Sequence, residues 1–297
     1  MIIRFTIVTG LILAAFTPAW LQKRNLPEPR IFEIAAAIDG AIYCVTSGED
    51  DKPGTEVHVY DPATDTWQTK SHANLIRHSF GAGELDGKIY IWGGVASGRL
   101  VRSTEMYDPK TDKWTARADF PRPRLFAKGA GVNGKLYAVG GIRPPGRNQV
   151  PEIDEYDPQS DSWTVKTDMI LKRDAYRVAV ADGRIYVVGN LGGDPRVLVY
   201  DPVADRWTVK APMPTPRFDF GIHASKGVIY TFGGMGTDAV EIYDAKADRW
   251  TQKSPMPHNN WEQVAAEVDG RIYVIGGGFP AGHVLDVLYQ YDPSADR

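Results

Sequence analysis

Five arginines, Arg30, Arg77, Arg124, Arg173 and Arg217, recur along the chain at nearly even spacing, and Asn260 stands where a sixth is due. A guanidinium fork matches a carboxylate bidentately, so a ring of them could clamp an anion. Recurrence in five units argues instead for a structural role in each. The two residues after each arginine vary: Ile31-Phe32, His78-Ser79, Leu125-Phe126, Asp174-Ala175, Phe218-Asp219 and, after Asn260, Trp261-Glu262. An imidazole, carboxylates and aromatic rings in that mixture suit a polar ligand resting on an aromatic platform; the bland alternative is a solvated rim. The candidate ligand-binding residues are therefore His78, Ser79, Asp174, Phe218, Asp219, Trp261 and Glu262, with Arg143 from a nearby variable stretch.

A second set of charges, Glu84, Lys128, Arg177, His223 and Glu267, interrupts segments of small residues. Buried charges need partners, so ion pairs or a watered channel are the expected explanation. Acid–base catalysis would require a perturbed carboxylate or imidazole beside a substrate, and the sequence names no such residue. One cysteine, Cys44, excludes an intrachain disulfide and a cysteine-based zinc cluster. The six histidines are scattered without metal-ligand spacing. There is no phosphate loop and no nucleophile elbow. The Asp-Pro-x-x-Asp turns, such as Asp61 to Asp65, are too short for a calcium loop and read as turn capping. Neither a cofactor nor a metal is expected.

The elements that must position these residues follow from composition and repetition. The 297 residues are 24% charged and 43% hydrophobic with a net charge of -3. That is enough for a large core, and it lacks the basic footprint of a nucleic-acid-binding protein. Thirty Gly and 21 Pro favour short strands over long helices. Residues 1–19 read as a secretory leader, an apolar run ending in Thr17-Pro18-Ala19, with cleavage expected after Ala19. The protein is thus expected to be secreted or periplasmic, without membrane insertion of the mature domain. An uncleaved leader would instead anchor it.

From residue 20 onward the chain repeats. Trp20, Trp67, Trp114, Trp163, Trp207 and Trp250 are 43 to 49 residues apart. Tyr60, Tyr107, Tyr156, Tyr200, Tyr243 and Tyr291 keep the same period, each before an Asp. Another tyrosine set, Tyr43, Tyr90, Tyr137, Tyr186, Tyr230 and Tyr273, follows two-residue turns such as Asn133-Gly134, a strong hairpin signal. Four short strands per unit at this period predict an all-β, six-bladed β-propeller of four-stranded antiparallel blades. The sixth unit stops at Arg297, one residue before its tryptophan is due. The segment from Trp20 parallels that from Trp114, so an N-terminal outermost strand is expected to close the ring.

The sequence resembles the kelch-repeat family. The double glycines Gly93-Gly94, Gly140-Gly141, Gly233-Gly234 and Gly276-Gly277, each with its downstream Tyr and Trp, carry the likeness. Units one and four depart from it, with Ser47-Gly48 and Gly189-Asn190. The resemblance implies a rigid disc whose variable loops, between the second and third strands of each blade, share a face with the blade-to-blade crossings. It also implies that ligand contacts cluster at the paired positions after each arginine. Charge on those loops is uneven, with Glu49, Asp50 and Asp51 in unit one against Arg99, Arg102, Arg143 and Arg147 in units two and three. The expected function is an exported, monomeric binding module for a protein segment or carbohydrate. The alternative implied by the resemblance is a periplasmic enzyme acting on a small sugar or sugar acid, in the manner of a sialic-acid mutarotase.

Overall fold

Six two-residue turns set the architecture. At Asp39-Gly40, Asp86-Gly87, Asn133-Gly134, Asp182-Gly183, Lys226-Gly227 and Asp269-Gly270 both residues have positive φ. That twist matches two flanking antiparallel strands, and each turn joins the first and second strands of a blade. The structure, a computed structural model, describes residues 19–47, 54–279 and 283–296. The leader assigned to residues 1–19 falls outside them except for Ala19, and the acidic stretch Glu49 to Asp51 falls outside them entirely.

All six blades are four-stranded and antiparallel. From the axis outwards, blade 1 runs Phe32–Ile38, Ala41–Thr46, Glu56–Asp61 and Thr66–His72. Blades 2 to 5 repeat the pattern from the inner strands Gly81–Leu85, Lys128–Val132, Arg177–Ala181 and Gly221–Ser225. Blade 6 comprises Val264–Val268, Arg271–Ile275 and Leu288–Tyr291, with Trp20–Gln22 outermost and Trp20 paired to Tyr291. The inner strands contact one another in sequence, and that of blade 6 meets that of blade 1. On one face, short strand pairs rise from blades 2, 3 and 6: Val95–Ala96 with Arg99–Leu100, Ile142–Arg143 with Asn148–Gln149, and Gly278–Phe279 with His283–Val284.

The periodic Tyr, Asp and Trp form one repeated clamp between blades. In every blade the buried tyrosine hydroxyl donates to an aspartate five residues on, as Tyr156 does to Asp161 at 2.6 Å. The same aspartates accept an N–H from the preceding blade, at Arg24, Ser71, Ala118, Thr167, Ala211 and Ser254. The blade's tryptophan indole N–H then donates to the carbonyl of that same residue. Each Trp ring lies 4.8 to 5.2 Å from its Tyr ring in a tilted pair. In blade 6 the clamp on Ser254 draws its two halves from the two ends of the chain, Trp20 and Asp296.

These aspartates make the ring acid-sensitive. All six have carboxyl pKa values below the ordinary range. At Asp65 the Tyr60 hydroxyl is the main cause, and at Asp161 the Ala118 amide. At Asp112, Asp205, Asp248 and Asp296 burial pulls upward but is outweighed by the hydrogen bonds those carboxylates accept. A carboxyl whose folded pKa is depressed contributes stability above its unfolded value, about 3.9, and that stability is lost as pH falls through the folded one. Urea midpoints are therefore expected to be level from about pH 7 to pH 5 and to drop steeply below about pH 4. A midpoint unchanged down to about pH 3 would contradict the clamp's ionised form.

Candidate functional site

The varied pairs after each arginine are held on the loop-bearing face by the repeat itself. Arg77, Arg124, Arg173 and Arg217 are buried. Their guanidinium groups donate inside their own blades, as Arg173 does to the Asp194 and Arg196 carbonyls and Arg124 to the Gly140 carbonyl and Asp154. Asn260 substitutes by donating to the Gly276 carbonyl at 2.7 Å. In these four blades the arginine is thus a structural device, not an anion clamp, whereas Arg30 is half-buried and pairs with Glu28 at 2.8 Å.

The second residue of each pair adopts positive φ in five blades: Ser79, Phe126, Ala175, Asp219 and Glu262. Non-glycine residues seldom take that conformation, which costs of order 1 kcal/mol and more. Here it bends the chain into the inner strand and links blades, since Asp219 donates its N–H to the Ala175 carbonyl and Glu262 to the Asp219 carbonyl at 2.6 Å. Close backbone approach fixes the first residue of the pair. Gly277 lies so near that a Cβ there would sit 2.5 Å from the Trp261 carbonyl, so only glycine lets the blade 6 hairpin support Trp261.

These residues open on an axial cavity of about 700 Å³. Five of the candidates, Asp174, Phe218, Asp219, Trp261 and Glu262, line it. Three do not. His78 is bridged to Val95 through its backbone, and its ring faces the Ser79 hydroxyl at 3.0 Å. Arg143 makes a forked contact with Glu152 at 2.8 and 2.5 Å. Four residues later in the same hairpin, Arg147 reaches the cavity and grips Asp174 bidentately at 2.9 and 2.8 Å.

The cavity also takes residues that stood outside the candidate set. Lys128 and Arg177, the fourth residues after their arginines, project from inner strands and meet Glu33 at 3.6 Å and Asp219 at 3.2 Å. Glu33 enters because blade 1 replaces the positive-φ residue with a register shift between Phe32 and Ile34. No sequence signal marked it, because Arg30 stands nine residues before its turn, as the arginines of the other units do. Phe126 adds an aromatic face near the Lys128 ammonium. Deeper along the axis, His223 and Glu267 pair at 3.3 Å, while Glu84 accepts the Gly87 N–H at 2.8 Å.

Two groups stand out electrostatically. Burial raises the Glu262 carboxyl above the ordinary carboxylate range, and the nearby Asp219 adds to the rise. Burial lowers the Lys128 ammonium, against the opposing pull of Glu33. Among the described residues the Glu262 carboxylate has no hydrogen-bond or ion-pair partner. The arrangement can hold a polar ligand through paired charges and aromatic faces, and one carboxyl remains free to trade a proton. Cys44 is fully buried, with its thiol pKa raised by that burial, and takes no part.

No curated protein matches the sequence. A solved structure titled "Structure of YjhT" superposes with a TM-score of 0.77 over 90% of this chain and 95% of that one. Identity there is 15%, so the likeness concerns the fold alone. The family model "Kelch motif" matches residues 76–121, 123–170, 216–257 and 263–297, which are blades 2, 3, 5 and 6 with their crossings. The unmatched blades, 1 and 4, are those whose second strand lacks the paired glycine. With its six blades and the repeated Tyr–Asp–Trp clamp, the chain belongs to the Kelch motif family.

Proposed function

We propose that the protein is an exported binding module that takes a saccharide into its axial cavity from the loop-bearing face. The observation that carries this is the cavity itself: a concave site lined by Trp261, Phe218 and Phe126 together with three ion pairs. Aromatic faces beside fixed polar groups are what small-molecule sites are built from. A flat loop surface would favour a protein segment, whereas this opening suits the end of a glycan. Export is part of the proposal and rests on the leader-like residues 1–19.

Thermal shift tests it, using the protein from residue 20 against D-glucose, N-acetyl-D-glucosamine, D-glucuronate, N-acetylneuraminate and D-glucosamine. A ligand that binds only the folded state stabilises it by about 2.7 kcal/mol at a hundred times its dissociation constant. At least one sugar is expected to raise Tm in a concentration-dependent way, and Trp261→Ala, which strips an aromatic face from the cavity, is expected to remove the rise. Silence from every sugar, with a rise for short peptides, would transfer the site to a protein segment.

A second proposal, acid–base work on a bound sugar, is favoured by one observation: Glu262 and Lys128 have pKa values pushed in opposite directions within one cavity. Both shifts run toward neutral pH, where a general acid and a general base work best. Anomerisation of a binding sugar should then accelerate with protein and lose roughly 10²-fold or more in Glu262→Gln. A rate equal to buffer alone leaves binding as the whole function.

A further inference from the structure

From the pairing of charges in the cavity we infer that its ligand carries a primary ammonium group, seated against Glu262. This deepens the saccharide proposal, on which it rests, by naming the ligand's charged group.

Four carboxylates at the mouth, Glu33, Asp174, Asp219 and Glu262, face Lys128, Arg147 and Arg177, while Arg173, which also lines the cavity, is buried and donates to the Asp194 and Arg196 carbonyls. Each cation is already held: Lys128 by Glu33, Arg147 by Asp174, Arg177 by Asp219. The excess negative charge falls on Glu262. Its surroundings come from four other blades, with Asp219 from blade 5, Arg177 from blade 4, Glu33 from blade 1 and Lys128 from blade 3. None of them is a hydrogen-bond partner of its carboxylate. Trp261 lies next to it in sequence, and Phe218 lines the same wall. A cation over an aromatic face, close to a desolvated carboxylate, gains from both.

An anion has a poorer fit. It would have to break one of three ion pairs to find a cation and would still lie near Glu262. A neutral sugar could use the aromatic faces and donate a hydroxyl to Glu262, but it would leave the charge of a desolvated carboxylate uncompensated. An ammonium supplies the missing partner and displaces the proton that burial favours on Glu262. Binding should therefore release a proton where Glu262 is protonated in the free protein, and affinity should rise with pH through its raised value.

Calorimetry compares D-glucosamine with N-acetyl-D-glucosamine and D-glucose, and the blocked peptide acetyl-Gly-Lys-Gly-amide with acetyl-Gly-Gln-Gly-amide. The expected result is that the amine of at least one set binds tenfold or more tightly than its neutral counterparts. That preference should shrink as pH falls through the raised Glu262 value and disappear in Glu262→Gln. Asp219→Asn frees Arg177, so it should also lose the preference and improve D-glucuronate binding. Preference for the peptide alone would uphold the ammonium while overturning the saccharide proposal. Binding of neutral or acidic sugars at least as tight as the amine would overturn the ammonium and leave the saccharide proposal intact. An amine preference that survives Glu262→Gln also overturns it, and no binding of any probe defeats both.

Discussion

Deleting residues 20–24 unfolds the ring at markedly lower temperature or denaturant. This is the largest effect expected in the molecule. The segment contributes the outermost strand of blade 6, pairing Trp20, Leu21 and Gln22 with Tyr291, Gln290 and Tyr289. It also supplies the Trp20 ring, which packs on Tyr291 and Phe232, and the Arg24 backbone that clamps blade 1. Loss of one large aromatic contact alone costs about 3–5 kcal/mol, and an unpaired strand edge becomes available for aggregation. A fall in Tm on the order of 10 °C or more is expected, measured against the chain beginning at residue 20. Unchanged unfolding would mean that five intact blades and a three-stranded sixth carry the ring by themselves.

The second largest effect is predicted for Asp154→Ala. Asp154 and Arg124 are fully buried and meet at 2.7 Å. Arg122 adds a second contact to the same carboxylate. Burial lowers the Arg124 pKa, and Asp154 is the chief influence restoring it. Removing Asp154 leaves the buried Arg124 guanidinium only the more distant carboxylate of Glu152, at 3.5 Å, and breaking a buried pair in this way costs about 3–5 kcal/mol. Arg184→Ala is the control. Its pair with Asp201 is formed by a half-exposed side chain, and such pairs contribute about 0–1 kcal/mol. Urea melts of both variants decide the matter. Equal losses would show that burial does not set the strength of these pairs, and Asp154→Asn should fall between the two.

The fold was legible because its clamps repeat. Tyr156, Asp161 and Trp163 in blade 3 recur as Tyr200, Asp205 and Trp207 in blade 4, so one unit's hydrogen bonds predict the next. The positions after each arginine were legible for the same reason, and Asp174, Phe218, Asp219, Trp261 and Glu262 line the cavity. What escaped was local to single blades. Glu33 reaches the axis through a register shift that only blade 1 possesses. Arg147, not Arg143, reaches it because a short hairpin turns between them, and charge pattern alone does not say which side of a hairpin faces inward. Lys128 and Arg177 were visible as charges among small residues, but whether such a charge ends in an ion pair depends on the neighbouring blade. His78 has the right position and chemistry, yet its ring turns to Ser79.

The central claim, that ligand seats at the axial mouth, can be read from tryptophan. Eight tryptophans are present. Six belong to the Tyr–Asp–Trp clamps, Trp92 is buried, and Trp261 lines the cavity. Fluorine NMR of 5-fluorotryptophan-labelled protein gives a resonance for each, and Trp261→Phe identifies the one at the mouth. Titration with each of the five monosaccharides should shift that resonance for the sugar that binds and leave the six clamp resonances in place. Movement of clamp resonances with Trp261 unmoved, or no movement at all, would contradict the assignment of the site.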